Sequence, residues 1–136
     1  MTDRKAIEAL IEKGYHARSK GDVEGLMSAF HPEAVFELAG SNTVLAVAGA
    51  SRGHQEVRTT MTGLVAAFEI IRRDIISMTI DGDRAAVHSR IKVRSVLGEK
   101  TATTDILDLF KFKDGKVIEL VEFADTALIK DMMSAG

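Results

Sequence analysis

The chain has 136 residues, 46% of them hydrophobic and 28% charged, with a formal net charge of −2. That length can bury one packed core, and the near-neutral balance argues against a nucleic-acid or anionic-membrane partner. There is no cysteine, which excludes disulfides, thiolate metal sites and a cysteine nucleophile.

The opening MTDRKAIEAL holds no apolar core of signal-peptide length. The longest apolar stretch, near Thr43–Ala50, is too short to span a bilayer. The sequence predicts a cytoplasmic protein with no membrane partner. One proline and no low-complexity run leave no linker, so residues 1–136 are expected to form a single domain.

Thr2 or Asp3 can cap a first helix, along which Ile7, Leu10, Ile11, Gly14 and Tyr15 form one apolar stripe. Gly21 ends it. Asp22 caps a second helix with Val23, Leu26, Met27 and Phe30 at i, i+3, i+4 and i+7. Pro32 stops the helices, and Ala34–Leu38 reads as a strand. Val44–Ala48 is expected to pair back on it as a short second strand. Gly53 opens a third helix with Val57, Met61, Leu64, Val65 and Phe68 on one face. Glu69–Ile80 contains five isoleucines and reads as a strand, but its alternation is too irregular to phase. Asp81-Gly82 is a hairpin turn.

From Arg84 to Phe123 apolar and polar residues alternate between short glycine-containing turns, the pattern of a β-meander. With Gly98-Glu99 as a two-residue turn, Ile91 faces Ile106, Ser89 faces Asp108 and Val87 faces Phe110. Lys92 then meets Asp105, and Arg90 meets Leu107. This puts Val87, Ser89, Ile91, Val93, Ile106, Asp108, Phe110 and Phe112 toward the helices, with His88, Arg90, Lys92, Arg94 and Asp105 outside. A one-residue slip would destroy the match. The Lys113–Lys116 turn leaves two registers open. A two-residue Asp114-Gly115 loop turns Glu119, Val121 and Phe123 inward, whereas a type I turn with a Gly115 bulge turns Ile118, Leu120 and Glu122 inward. We take the bulge. Asp125 then caps a last helix through Met133.

Asp108 is the sharpest chemical signal, because it interrupts an apolar inner face, Ile106-x-Asp108-x-Phe110-x-Phe112. A carboxyl there loses hydration, so its pKa should rise, and a neutral carboxyl can donate to a developing oxyanion. The bland alternative is a carboxyl satisfied by Ser89, a backbone amide or an arginine. Tyr15 lies on the stripe of the first helix and its hydroxyl needs a partner inside, which a backbone carbonyl would also supply. Glu122 ends the last strand and is a pocket base only in the bulge register. Leu38, Met61, Ser89, Phe110 and Leu120 are the candidate ligand-lining residues. His16, His31, His54 and His88 are scattered, with no metal-ligand spacing. No metal and no cofactor is expected, and Gly49–Gly53 lacks the residues of a phosphate loop.

Four stretches carry a resemblance: Gly21-Asp22-x-x-Gly25-Leu26-x-x-x-Phe30-x-Pro32-x-Ala34, Gly53-x-x-x-Val57, Asp108-x-Phe110-x-Phe112-x-x-Gly115-Lys116-Val117 and Glu122-Phe123-x-Asp125. On these the chain resembles the nuclear transport factor 2-like superfamily, and within it the SnoaL-like branch that includes ketosteroid isomerases and polyketide cyclases. The resemblance implies an α+β fold, a cone-shaped curved antiparallel sheet packed against N-terminal helices, of the cystatin-like α+β barrel kind. It implies that Asp108 corresponds to the aspartic acid that stays protonated in the isomerase oxyanion hole, with Tyr15 near the place of its tyrosine partner. The isomerase base corresponds to Leu38, which takes no proton, and neighbouring Glu37 points to the other side of the strand. Steroid isomerisation is therefore not expected, and Glu122 or Asp125 would have to supply a base. Superfamily members also pair through the outer sheet face, so a homodimer is expected.

Two functions follow. One is a small-molecule enzyme, an isomerase, cyclase or dehydratase using acid-base chemistry on a mostly apolar carbonyl compound, with Tyr15, Asp108 and Glu122 as its catalytic residues. The other is a non-catalytic ligand-binding or dimerisation module of the same fold.

Overall fold

The computed structural model describes residues 3–40 and 48–134. In chain order it contains α1 (Arg4–Lys20), α2 (Val23–Met27), β1 (Phe30–Leu38), β2 (Gly49–Arg52), α3 (His54–Ala67), β3 (Phe68–Asp81), β4 (Arg84–Ser95), β5 (Lys100–Lys113), β6 (Lys116–Phe123) and α4 (Thr126–Met133). The strands form one mixed six-stranded sheet in the order β2-β1-β6-β5-β4-β3. The sheet is curved and does not close on itself. Four strands form the expected meander, and β1 joins it through a parallel ladder with β6.

Helix ends follow local chemistry. The Asp3, Asp22 and Asp125 carboxylates accept from the backbone N–H of Lys5, Gly25 and Leu128, satisfying donors that a first turn leaves unpaired. Gly21 closes α1 in the left-handed conformation at φ 71°. The second helix stops at Met27, earlier than its apolar spacing suggested, because Phe30 is taken into β1 opposite Val117. Pro32 lies inside β1, at the irregularity between Phe30 and Val35, where a missing N–H costs no ladder bond. Of the expected second strand, residues 44–47 lie outside the described residues. The strand that returns along β1 is the next segment, with Leu38 opposite Gly49 and Val35 opposite Arg52.

The faces of the central pair are as the alternation predicts: Val87, Ser89, Ile91, Val93, Ile106, Asp108, Phe110 and Phe112 are all buried. The register differs by two residues. Residues 96–99 form a four-residue connection, so Ser89 faces Ile106, Val87 faces Asp108 and Arg90 faces Asp105. A two-residue shift keeps every side chain on its face, so the apolar pattern could not discriminate the two. Outside, the Asp105 carboxylate accepts from Arg90 Nε at 3.0 Å and sits 2.8 Å from His88 Nε2.

The β5–β6 turn combines both expected registers. Asp114 and Gly115 both have positive φ, 54° and 73°, a two-residue turn of the kind that suits a twisted hairpin. A bulge follows at Ile118, between the Phe112–Val117 and Lys111–Glu119 pairs. The extra residue turns Leu120 and Glu122 to the inner face, opposite Phe110 and Asp108.

The last helix packs its end against the β4–β5 connection. A Cβ added at Gly98 would run into the Met132 carbonyl oxygen. Gly98→Ala is expected to lower stability by about 1–3 kcal/mol through overpacking, seen as a lower urea midpoint. An unchanged midpoint would mean that this close approach is not needed.

Candidate active site

The helices cover the inner face of the sheet and leave a cavity whose free space admits the centres of water-sized spheres over about 110 Å³. One water needs about 10–15 Å³ by that measure, so the cavity has room for a small organic molecule. Most of its lining is apolar and comes from α1, α3, α4 and the inner faces of β1, β3, β4, β5 and β6. Its charged lining residues are Arg18, Arg73, Asp108 and Glu122, and Tyr15 lies among them.

Asp108 is buried at 1% exposure. The Tyr15 hydroxyl donates to its Oδ2 at 2.6 Å, so the residues from the first helix and the fifth strand meet as a pair. Oδ1 has no hydrogen-bond partner among the described residues. Burial pushes the Asp108 carboxyl well above the usual carboxylate range, and the charge of Glu122 on the next strand adds to it. The Tyr15 hydrogen bond and the Arg73 charge pull the other way without winning. Burial likewise pushes the Tyr15 phenol up, and the Asp108 charge adds to that. Both shifts favour the protonated form of each group. With Oδ2 accepting from Tyr15, Oδ1 is the oxygen left free to carry the acid proton of a neutral Asp108.

Glu122 reaches the cavity because of the Ile118 bulge, and the cross-strand pair Asp108–Glu122 brings two carboxyls to one face. The nearby Glu122 charge is a second reason, after burial, that the Asp108 carboxyl is raised. The Tyr15 ring meets Phe110 edge-on at 6.2 Å between centroids, and Phe110 stacks on Phe112 at 5.8 Å. These aromatic contacts fix the hydroxyl that holds Asp108.

Two arginines belong to the site and escaped the sequence reading. Arg18, one turn after Tyr15, donates through Nη2 to the Phe68 carbonyl at 2.8 Å and the Leu64 carbonyl at 3.3 Å. It thereby satisfies the C-terminal carbonyls of α3. Burial pushes its guanidinium down to about 10, still charged at pH 7. Arg73 lies between two bulges of β3, at Ile71 and Ile76, that break the strand's alternation. The bulges place Ile70, Arg73, Ile75 and Met78 opposite the inner-face residues Val93, Ile91, Ser89 and Val87. No period of two could reveal that set. The Arg73 guanidinium carbon sits 3.9 Å from the centroid of the Tyr15 ring, a cation–π contact.

Of the expected ligand-lining residues, Leu38, Met61, Phe110 and Leu120 line the cavity. Ser89 is fully buried and its Oγ is unpartnered among the described residues, but it is not among the lining residues. His54 is turned elsewhere, with Nε2 3.2 Å from the Met27 carbonyl. No helix among the described residues is long and apolar enough to cross a membrane.

Residues 11–120 match the model of the SnoaL-like domain. The chain belongs to the SnoaL-like family. Its fold is that of solved NTF2-like structures. One is an NTF2-like protein of unknown function from Burkholderia pseudomallei, with TM-score 0.85 and 19% identity over 99% of this chain and 100% of that one. A second is TerC crystallised with polyporic acid, with TM-score 0.79 and 21% identity over 94% and 97%. A third is an LEH-like epoxide hydrolase of M. tuberculosis, with TM-score 0.69 and 15% identity over 91% and 84%. At these identities the likeness is one of fold. No curated protein matches the sequence.

Proposed function

We propose that this SnoaL-like protein is an acid-base enzyme acting on a small, mostly apolar carbonyl compound, by isomerisation, cyclisation or dehydration. The observation that carries the reading is the buried Asp108 held by Tyr15 at 2.6 Å on the wall of a mostly apolar cavity. Asp108 donates a hydrogen bond through its Oδ1 proton, which it keeps, to the substrate carbonyl oxygen as charge develops there, stabilising an enolate in a site of low dielectric. Tyr15 keeps its own proton on Oδ2 and so orients the acid. Glu122, across the ladder from Asp108, takes the proton from the neighbouring carbon and returns it at the new position. Leu38, at the place where the ketosteroid isomerase resemblance expects a base, supplies only apolar wall, so the proton route runs through β6. A relative crystallised with an organic acid and another described as an epoxide hydrolase support a small organic ligand in this fold.

The experiment is a titration with 2-naphthol, whose emission distinguishes the neutral phenol from its anion. Binding as the naphtholate, lost in Asp108→Leu, is the expected result. Binding as the neutral phenol, unchanged by that substitution, would refute the oxyanion site.

The second reading, a binding module without turnover, is favoured by the same Tyr15–Asp108 bond, since each group partly satisfies the other within the protein. Single-turnover assays on carbonyl compounds that bind separate the two.

We also infer a homodimer through the outer sheet face. Leu107, Leu109 and Phe123 are 39%, 40% and 46% exposed there, and the pairs Leu107–Phe123 and Leu109–Val121 make the patch continuous across two strands. At about 25 cal/mol per Å² such a patch contributes several kcal/mol when covered, before association costs. Sedimentation velocity should show a dimer that Leu107→Asp with Leu109→Asp converts to monomer. A wild-type monomer at micromolar concentration would contradict it.

A further inference from the structure

The acid-base reading leaves Arg73 unused. Its side chain reaches the cavity wall from β3, and the guanidinium lies against the Tyr15 ring, beside the Asp108 acid. Its Nε and Nη1 are buried and have no hydrogen-bond partner among the described residues. Buried charged donors are ordinarily paired. The cation–π contact offsets only part of the lost hydration.

The charges of the cavity point the same way. Arg18 and Arg73 line it as cations, while Asp108 and Glu122 are its acidic lining residues. Burial disfavours the charged form of Asp108, which leaves Glu122 as the main carboxylate facing two guanidiniums. Arg18 already gives Nη2 to two carbonyls at the end of α3. Arg73 is left as the cation without a counter-charge. A mostly apolar wall makes that surplus costly when the cavity is empty, and makes an incoming anion bind more strongly there than in water.

We propose that the natural ligand is an apolar molecule carrying one carboxylate, and that Arg73 binds this carboxylate next to the Asp108 acid. The proposal deepens the enzyme reading, because it takes the same cavity as the substrate site. It narrows the substrate class to monoanionic carbonyl acids rather than neutral ketones. The carboxylate also neutralises the guanidinium whose charge would otherwise pull the Asp108 proton off. Ligand binding and a neutral Asp108 therefore support one another.

The test compares 2-naphthoate with 2-naphthamide, a neutral probe of nearly the same shape, by calorimetry at pH 7.5 on the full chain. In the wild type, naphthoate should bind about tenfold or more tightly than the amide, as a hydrogen bond to a charged group implies. Arg73→Gln should abolish that preference, and Arg73→Lys should retain part of it. The wild-type comparison needs no variant, so a poorly folded Arg73→Gln does not blunt it. Equal affinity for the two probes, or tighter binding of the amide, overturns the proposal, as does a preference that survives Arg73→Gln. The acid-base reading fails separately, through naphtholate binding that ignores Asp108, and that result leaves the naphthoate preference untouched.

Discussion

Replacing Asp108 by leucine should lower the affinity for 2-naphtholate by about a hundredfold or more, the loss typical of removing one donor from an oxyanion site. Tyr15→Phe should cost less, about fivefold, because in the proposed site Tyr15 acts through Asp108 and an oriented hydrogen bond contributes about 1 kcal/mol. The pair should not be additive. Once Asp108 is leucine, the hydroxyl at Tyr15 has nothing to orient, so the double variant should match Asp108→Leu alone. Asp108→Asn gives an intermediate result, since an amide still donates a hydrogen bond, though a weaker one than a carboxylic acid. Fluorescence titration of all four variants reads these differences directly. Additive losses at Tyr15 and Asp108 would mean that both touch the ligand. The fold should survive Asp108→Leu. An unpaired Tyr15 hydroxyl costs about 1–3 kcal/mol, and the added apolar burial offsets about 1.5–3 kcal/mol.

The second large effect is on stability against pH. The Asp108 carboxyl is raised in the folded protein, chiefly by burial and then by the charge of Glu122. In the unfolded chain it titrates near its ordinary value, about 4. Above that pH the unfolded chain releases a proton that the folded protein keeps. Stability therefore falls as pH rises, by up to about 1.4 kcal/mol per unit, until the folded carboxyl itself ionises. Below about pH 4 both states hold the proton and the contribution is flat. Asp108→Leu removes this slope. Urea midpoints from pH 4 upward should show the wild type losing ground to the variant, steadily and in one direction. Parallel curves would show that Asp108 ionises in the fold as it does in water. The sign is opposite to that of an ion-paired surface acid such as Asp105, whose carboxyl the Arg90 and His88 contacts hold below its usual range.

How much of this could be read along the chain depends on the range of the forces involved. Helix ends were legible because Asp3, Asp22, Asp125 and Gly21 act on neighbours within one turn. The inner faces of β4 and β5 were legible because alternation is local, and Asp108 stood out as a charged residue in an apolar row. The register between those strands was not, because moving one strand by two residues changes no face. The connection of four residues, rather than two, packs against α4, whose Met132 carbonyl lies against Gly98, a contact distant in sequence.

The site divides the same way. By itself the sequence determined the α+β architecture, the meander, the SnoaL-like resemblance and the buried acid, all from patterns a few residues long. Only the tertiary structure decided what surrounds that acid. It brought Tyr15 onto Asp108 from 93 positions away, turned Glu122 inward with a bulge at Ile118, and delivered Arg73 between two bulges in a strand whose pattern they scrambled. A bulge inserts one unpaired residue and so flips every side chain beyond it. Whether it forms is settled by packing against the partner strand and the helices above, which no local spacing records.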